Sequence, residues 1–298
     1  MENPKDIKNP AQWLEATIKD FINTSPQNTL KNKDQEKAWL DPLVGFSRGN
    51  DSLYQEFNEK IGGFHWTPRE VFNLTFPEVK PDPEQLTVIS WTLPQTEVTK
   101  ADNREQAVYP SERWVRARIY GEEVNEKLRA HVVEKLSQSG IKAVAPMLSP
   151  HWRRETSERY GYASTWSERH AAYASGLGTF GLCDGLITPK GKAMRCGSVV
   201  AHIEITPTQR PYRDHHEYCP FFTQGICGSC IQRCPAGAIT EAGHDKVRCA
   251  TYLRGPVTSY IQSHYGIDNP RGCGLCQTKV PCESKIPTKH DVELYESP

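Results

Sequence analysis

The apolar positions fall into a few segments of clear period, separated by stretches with none. After Asn9 and Pro10, a pair that suits a helix start, Leu14, Ile18, Phe21 and Ile22 recur at helical spacing and predict an amphipathic helix over residues 10–22. Residues 25–83 are rich in Pro, Asn, Asp and Gly, and their aromatics, Phe64, Trp66, Phe72 and Phe76 among them, show no period. An irregular covering segment with locally packed aromatics is expected there. Residues 86–93 are β-branched and aromatic between Pro83 and Pro94, the mark of a buried, central strand. Val115, Ile119, Val124, Leu128, Val132 and Leu136 predict a long helix over 112–138, ended by Gly140, and residues 141–145 predict another short strand. This order of strand, long helix and strand implies a core of mixed α and β structure.

Thr165-Trp166-Ser167-Glu168 fits a capping box, and Ala171, Ala172 and Ala174 predict a helix ending at Gly176. The turn Gly176-Leu177-Gly178-Thr179-Phe180-Gly181 follows, where backbone could approach a flat or anionic group closely. It lacks the G-x-G-x-x-G spacing and closes a helix rather than opening one, which argues against a dinucleotide fingerprint. Residues 186–188, the Pro189-Lys190-Gly191 turn and residues 198–205 predict a β-hairpin, and Pro207, Pro211 and the charged run to His216 mark a domain boundary.

At 298 residues the chain has room for two domains, and 36 basic residues balance 36 acidic ones. That balance leaves no overall field to draw in nucleic acid or anionic lipid. No segment has eighteen continuous apolar residues, and residues 1–6 carry neither an apolar leader run nor a twin arginine. A soluble, cytoplasmic protein with no membrane partner is expected. Its ten cysteines then suggest thiols kept reduced for metal rather than disulfides.

Eight of those cysteines fall within residues 219–282. Soft thiolates at this density select zinc, cuprous copper or iron–sulfur clusters. The pairs Cys227/Cys230 and Cys273/Cys276 could close a zinc ribbon, but that leaves four cysteines unexplained. Cys227-x2-Cys230-x3-Cys234-Pro235 instead matches the ending of a two-cluster ferredoxin run, in which the last cysteine crosses to the other cluster. Crossover assigns Cys219, Cys227, Cys230 and Cys282 to one 4Fe-4S cluster, and Cys234, Cys249, Cys273 and Cys276 to a second. Two spacings depart from that pattern: Cys219 stands eight positions before Cys227, and Cys276 six before Cys282. Cys183 and Cys196 are left over and are expected to be small buried thiols, with a cofactor contact open for Cys183 because it follows the glycine turn.

Taken together, Ser167-Glu168-Arg169-His170, the Gly176-Leu177-Gly178 turn and the cysteine array resemble the family of epoxyqueuosine reductase and the reductive dehalogenases, corrinoid-dependent iron–sulfur reductases. The likeness extends over residues 85–285 and takes in Arg116 to Gly121. It implies an α+β protein in three parts. Residues 1–84 would cover a nitroreductase-like α/β corrinoid domain at 85–206, and a two-cluster bacterial ferredoxin-like domain would follow at 207–298. It further implies base-off cobalamin beside the nearer cluster, with His170, Gly176, Gly178, Thr179 and Gly181 as candidate contacts. Tyr162 falls where the epoxyqueuosine enzyme has a catalytic Asp and the dehalogenases a Tyr, so Tyr162 is the implied proton donor. A phenol is already protonated at neutral pH, but its phenolate needs a cation, for which Arg159 and Arg169 are candidates. The plain alternatives are that Tyr162 is an ordinary partly buried tyrosine and that His170 only hydrogen-bonds on a helix face.

The sequence ends sixteen residues after Cys282, without the helical-repeat domain that epoxyqueuosine reductase uses for transfer RNA, so a tRNA substrate is not expected. The leading expectation is a reductase that passes electrons from a low-potential donor, such as ferredoxin or flavodoxin, through two 4Fe-4S clusters to cobalt. A small organic substrate would then be dehalogenated or deoxygenated. The alternatives are a ferredoxin-like electron-transfer protein with neither corrinoid nor substrate of its own, and a flavin-bearing nitroreductase with an attached ferredoxin.

Overall fold

The computed structural model describes residues 8–268, 270 and 272–296, so residues 1–6, read above for a leader run, lie outside the described residues. The chain begins with α1 (Pro10–Thr24), opened by the Asn9 side chain accepting from the amide of Gln12. It buries Leu14, Ile18 and Ile22, as their spacing requires. The segment expected to be irregular holds three regular elements: β1 (Leu43–Arg48), α2 (Ser52–Ile61) and α3 (Pro68–Thr75). The local signals were present. Asp51 caps α2, and Thr67 and Glu70 form a reciprocal capping box on α3 with Pro68 in its first turn. These helices are short, and their apolar positions make sense only against the sheet they cover. Trp66 and Phe72 are buried in the core there.

All nine positions of β2 (Leu86–Pro94) are buried. A short α4 (Glu97–Arg104) and the long α5 (Glu112–Gln138) follow, then β3, which is only Ala143–Val144. Next come the hairpin of β4 (Arg154–Ser157) and β5 (Gly161–Ser164), α6 (Glu168–Ala174), β6 (Thr179–Phe180), β7 (Leu186–Ile187) and β8 (Met194–His202). The expected hairpin between residues 186–188 and 198–205 does not form. β7 pairs back with β6, while β8 runs antiparallel to both β2 and β3 in a sheet of order β1-β2-β8-β3. The run from Met194 to His202 is long and buried, so it earns more by central pairing than by a turn with the two-residue β7.

The sheet separates two layers of helices. Ile89, Trp91 and Leu93 of β2 and Val199 and Ala201 of β8 face α1 and α5. Leu86 and Val88 on the same strand, with Val200 of β8, face α2, α3 and α6. This is the period-two alternation of strands covered on both sides. Beyond the sheet come α7 (Pro220–Gln224), α8 (Ser229–Gln232), the small hairpin β9 (Ile239–Thr240) and β10 (Gly243–His244), α9 (Lys246–Tyr252), a π-helical turn (Leu253–Val257), α10 (Thr258–Tyr265) and α11 (Lys289–Glu296). Among the described residues no helix is long and apolar enough to cross a membrane.

Several bonds tie this cysteine-bearing segment to the sheet. The amides of Lys192 and Ala193 donate to the carbonyls of Cys282 and Glu283 at 2.9 and 3.1 Å. From α4, Arg104 Nε reaches both oxygens of buried Glu283 at 2.9 and 3.1 Å, and Asn103 Nδ2 donates to Thr278 Oγ1 at 3.0 Å. Arg233 returns bonds to the carbonyls of Gln106 and Asn103 at 2.8 and 3.2 Å.

Candidate metal centre and its surroundings

Cys219 sits at the start of α7, where Pro220 has no amide to donate, and the amides of Phe221 and Phe222 hydrogen-bond its sulfur together with that of Leu182. Burial pushes the Cys219 thiol up, and those three N–H groups act against burial by favouring thiolate. Cys227 holds a left-handed backbone, φ 77°, which turns the chain sharply before α8 delivers Cys230. Cys219, Cys227, Cys230 and Cys282 line one small cavity, open at its mouth, together with Gly181, Leu182 and Lys192.

Cys234 leaves α8 away from that cavity and accepts a bond from the amide of Ala238 at 3.3 Å. Asp245 caps α9 through the amides of Val247 and Arg248, and the first turns of that helix carry Cys249. The Cys273 thiol, pushed up to about 12 by burial, faces Cys249 and Cys234. Gly274 beside it packs against the Trp114 indole, where a Cβ would come within 2.0 Å of the ring. Arg233 faces both Cys273 and Cys276, and burial lowers its affinity for the proton. The cavity gathers the first expected group of four, and of the second expected group Cys273 lies near Cys249, Cys234 and Cys276. Among the described residues no three His, Cys, Asp or Glu side chains converge on one point as the ligands of a single metal ion would.

The two leftover cysteines differ. Cys196 lies in β8, its thiol pushed up to about 12 by burial, and its carbonyl accepts from Asn125 Nδ2 at 2.9 Å. Cys183 stands between the two groups, hydrogen-bonding Cys230 of the first and Cys276 of the second. Lys192 Nζ donates to its sulfur at 3.3 Å. His244 bridges Asp184, at 3.1 Å, and Cys249, and those bonds raise its imidazole to about 10. Spacing gave no hint of Lys192 or His244, because neither lies in a cysteine motif.

The residues named for a flat cofactor are largely engaged with their own chain. A Cβ on Gly178 would stand 2.2 Å from the Ile187 carbonyl oxygen, and one on Gly176 would stand 3.1 Å from the Gln209 carbonyl oxygen. Thr179 is fully buried, and its hydroxyl accepts from the amide of Tyr218 at 2.9 Å. His170 packs edge-on against Phe57, 4.7 Å between centroids, with Phe180 at 5.0 Å, and its Nδ1 bonds the Ser167 hydroxyl at 2.7 Å. Burial, then His65, holds its imidazole well below the usual range, so the ring is neutral. Gly181 lines the thiol cavity.

Glu168 of the same segment is an ion-pair residue. Its Oε1 accepts from buried Arg129 Nε at 2.9 Å, and the Ser198 hydroxyl donates to its other oxygen. This use replaces the capping role its position suggested, and α6 starts at Glu168 without a side-chain cap. Tyr162 is 43% exposed on β5, with the Arg254 guanidinium 5.3 Å from its ring and Lys246 Nζ 3.4 Å from its carbonyl oxygen. Arg159 lies over Tyr160 instead, and exposed Arg169 binds the Asp184 carbonyl. The nearest cation to the Tyr162 ring therefore comes from 92 positions downstream, beyond any spacing argument.

No family model matches the chain. It is 26% identical over 178 residues to the epoxyqueuosine reductase of Bacillus anthracis, covering 58% of this chain and 40% of that protein. The Bacillus cereus enzyme is 25% identical over the same shares. The chain thus spans about two fifths of the length of the curated relatives it matches. A catabolic reductive dehalogenase solved in complex with 3-bromo-4-hydroxybenzoic acid superposes with a TM-score of 0.50 at 12% identity, over 96% of this chain and 38% of that one. That second likeness is one of fold. In sequence to the former and in fold to the latter, this chain resembles the family of epoxyqueuosine reductase and the reductive dehalogenases, as residues 167–170, 176–178 and the cysteine array indicated.

Proposed function

We propose that this chain is an iron–sulfur oxidoreductase that holds two 4Fe-4S clusters in residues 207–298 and reduces a small organic electrophile at the domain of residues 85–206, which residues 1–84 cover. What supports the reading is the one cavity lined by four thiols, with Cys273 close to Cys249, Cys234 and Cys276 beyond it. The first four line one cavity, with backbone N–H groups aimed at sulfur. All-thiolate donors with N–H···S bonds suit iron and sulfur, and a shared cavity suits a cluster better than a single ion would. When bound, such clusters supply one-electron transfer at low potential. Cys219, Cys227, Cys230 and Cys282 would hold one, and Cys234, Cys249, Cys273 and Cys276 the other. Thiols kept reduced for metal support a cytoplasmic setting in this reading, with a donor such as ferredoxin or flavodoxin.

In this reading Tyr162 donates the proton. It is accessible, and Arg254 lies against its ring where a positive charge favours the phenolate left behind. Arg169, anchored on Asp184, stands near Lys246 on the same face and orients an anionic substrate. The resemblance also brings a base-off cobalamin. The residues first named for it fit poorly: Gly176 and Gly178 approach their own chain, Thr179 is sealed, and His170 is wedged between aromatic rings. We therefore draw no step through a corrinoid.

Anaerobic purification with iron, sulfide and cobalt analysis tests the proposal. About eight irons per chain are expected from two four-iron clusters. Zinc in place of iron, or iron far below that ratio after reconstitution, would sink it. Cobalt uptake would add the corrinoid. Tyr162→Phe is expected to lower kcat about 10²-fold or more with both clusters intact, the scale of general acid catalysis; full turnover would remove Tyr162 from that role.

A further inference from the structure

Lys192 is only 2% exposed, and it lies on the wall of the cavity that the first four thiols line. Its Nζ donates to Cys183 Sγ at 3.3 Å and hydrogen-bonds the Cys282 thiol, and the groups that face it most strongly are Cys183, Cys282, Cys230 and Cys276. Two of these belong to the first group of four and one to the second, while Cys183 bridges the groups. A buried ammonium is costly unless it is paired, and the partners offered here are sulfurs.

Its position is set from both sides. The Lys192 amide donates to the Cys282 carbonyl at 2.9 Å, and Gly191 before it packs on Glu283 and Ser284. The side chain is therefore held beside Cys282 by a backbone bond, with Cys276 also in reach of its charge. A four-thiolate cluster is net negative and gains one further negative charge on reduction, so a nearby fixed cation favours the reduced state. At this depth screening by solvent is weak, and the interaction is strong.

We infer that Lys192 is a shared counter-charge for the two clusters, one that raises both reduction potentials. This rests on the two-cluster reading above. Lys192 touches no substrate in this proposal; it acts through the clusters.

The test is a redox titration, followed by electron paramagnetic resonance, of anaerobically loaded wild type, Lys192→Met and Lys192→Arg, with iron counted in each. Lys192→Met should keep its iron and lower both potentials by at least a tenfold shift in the one-electron equilibrium, about 59 mV. Lys192→Arg, which keeps the charge, should recover most of that shift. Unchanged potentials in Lys192→Met with full iron would overturn the inference, as would an equal shift in Lys192→Arg. If Lys192→Met does not assemble clusters, assembly in Lys192→Arg supports the inference and failure of both overturns it. An absence of clusters in the wild type would instead count against the two-cluster reading itself.

Discussion

At the scale of single residues, Gly191 shows how a position outside any cysteine motif governs the cysteines. Its φ is 79°, and a Cβ there would stand 2.1 Å from the Glu283 carbonyl oxygen and 2.4 Å from Ser284 Cα. Both obstacles are backbone, so neither can swing aside. Left-handed strain and overpacking together should cost Gly191→Ala about 2–5 kcal/mol. We expect Tm to fall by several degrees and iron to be lost, because the displaced residues adjoin Cys282. An unchanged Tm with full iron would show that residues 283–284 yield freely. Sequence alone marks Gly191 as a turn glycine; it says nothing of what lies 92 positions away.

At the scale of elements, α5, α6 and β8 are joined by a buried ion network. Arg129, 1% exposed on α5, donates to Glu122 Oε1 at 3.0 Å and to Glu168 Oε1 at 2.9 Å, and Arg195 on β8 binds the other Glu122 oxygen. Burial works against the Glu122 charge, but Arg195, Arg129 and Arg118 overcome it and lower its carboxyl from 4.5 to about 2. A depressed carboxylate stabilises the fold fully above its unfolded value and loses that contribution as pH falls through the folded one. The window is therefore pH 4.5 down to about 2, and the contribution is about 3 kcal/mol. Glu168, raised by burial against the pull of Arg129, works in the opposite sense, so the difference between wild type and Glu122→Gln is the clean measurement. Urea unfolding should put that difference near 3 kcal/mol at pH 7, shrinking below pH 4.5. A difference independent of pH would mean that Glu122 is not ionised in the fold.

Across the whole molecule, the sheet and its helices hold a large apolar core on each face, whereas the segment 219–282 has a small one built largely around cysteine. Four-residue helices and two-residue strands there cannot stand by themselves. Bonds from α4 and from residues 192–193 just ahead of β8 hold that segment, and in the proposed loaded state the clusters would hold it as well. Chelation of iron under anaerobic conditions is accordingly expected to open residues 219–282 to protease first, leaving a resistant fragment that contains residues 86–202. Degradation of both regions at equal rates would show that the bonds from α4 and residues 192–193 suffice without metal.

Features carried by short spacing were legible in the sequence: the helix at 10–24, the buried strand at 86–94, the helix at 112–138 and the cysteine-rich run at 219–282. Each follows from local periodicity or from fixed reach along the backbone. What β8 pairs with was not legible, because its central place depends on two strands more than 50 positions away on either count. The same holds for α2 and α3, whose apolar faces have meaning only once that sheet exists. Tertiary structure alone brought Arg254 to Tyr162, His244 to Cys249 and Lys192 between the two groups of thiols. The sequence by itself determined how many thiols there are and how they are spaced along the chain. Only the fold decided which charges stand beside them, since charge acts through space and spacing measures distance along the chain.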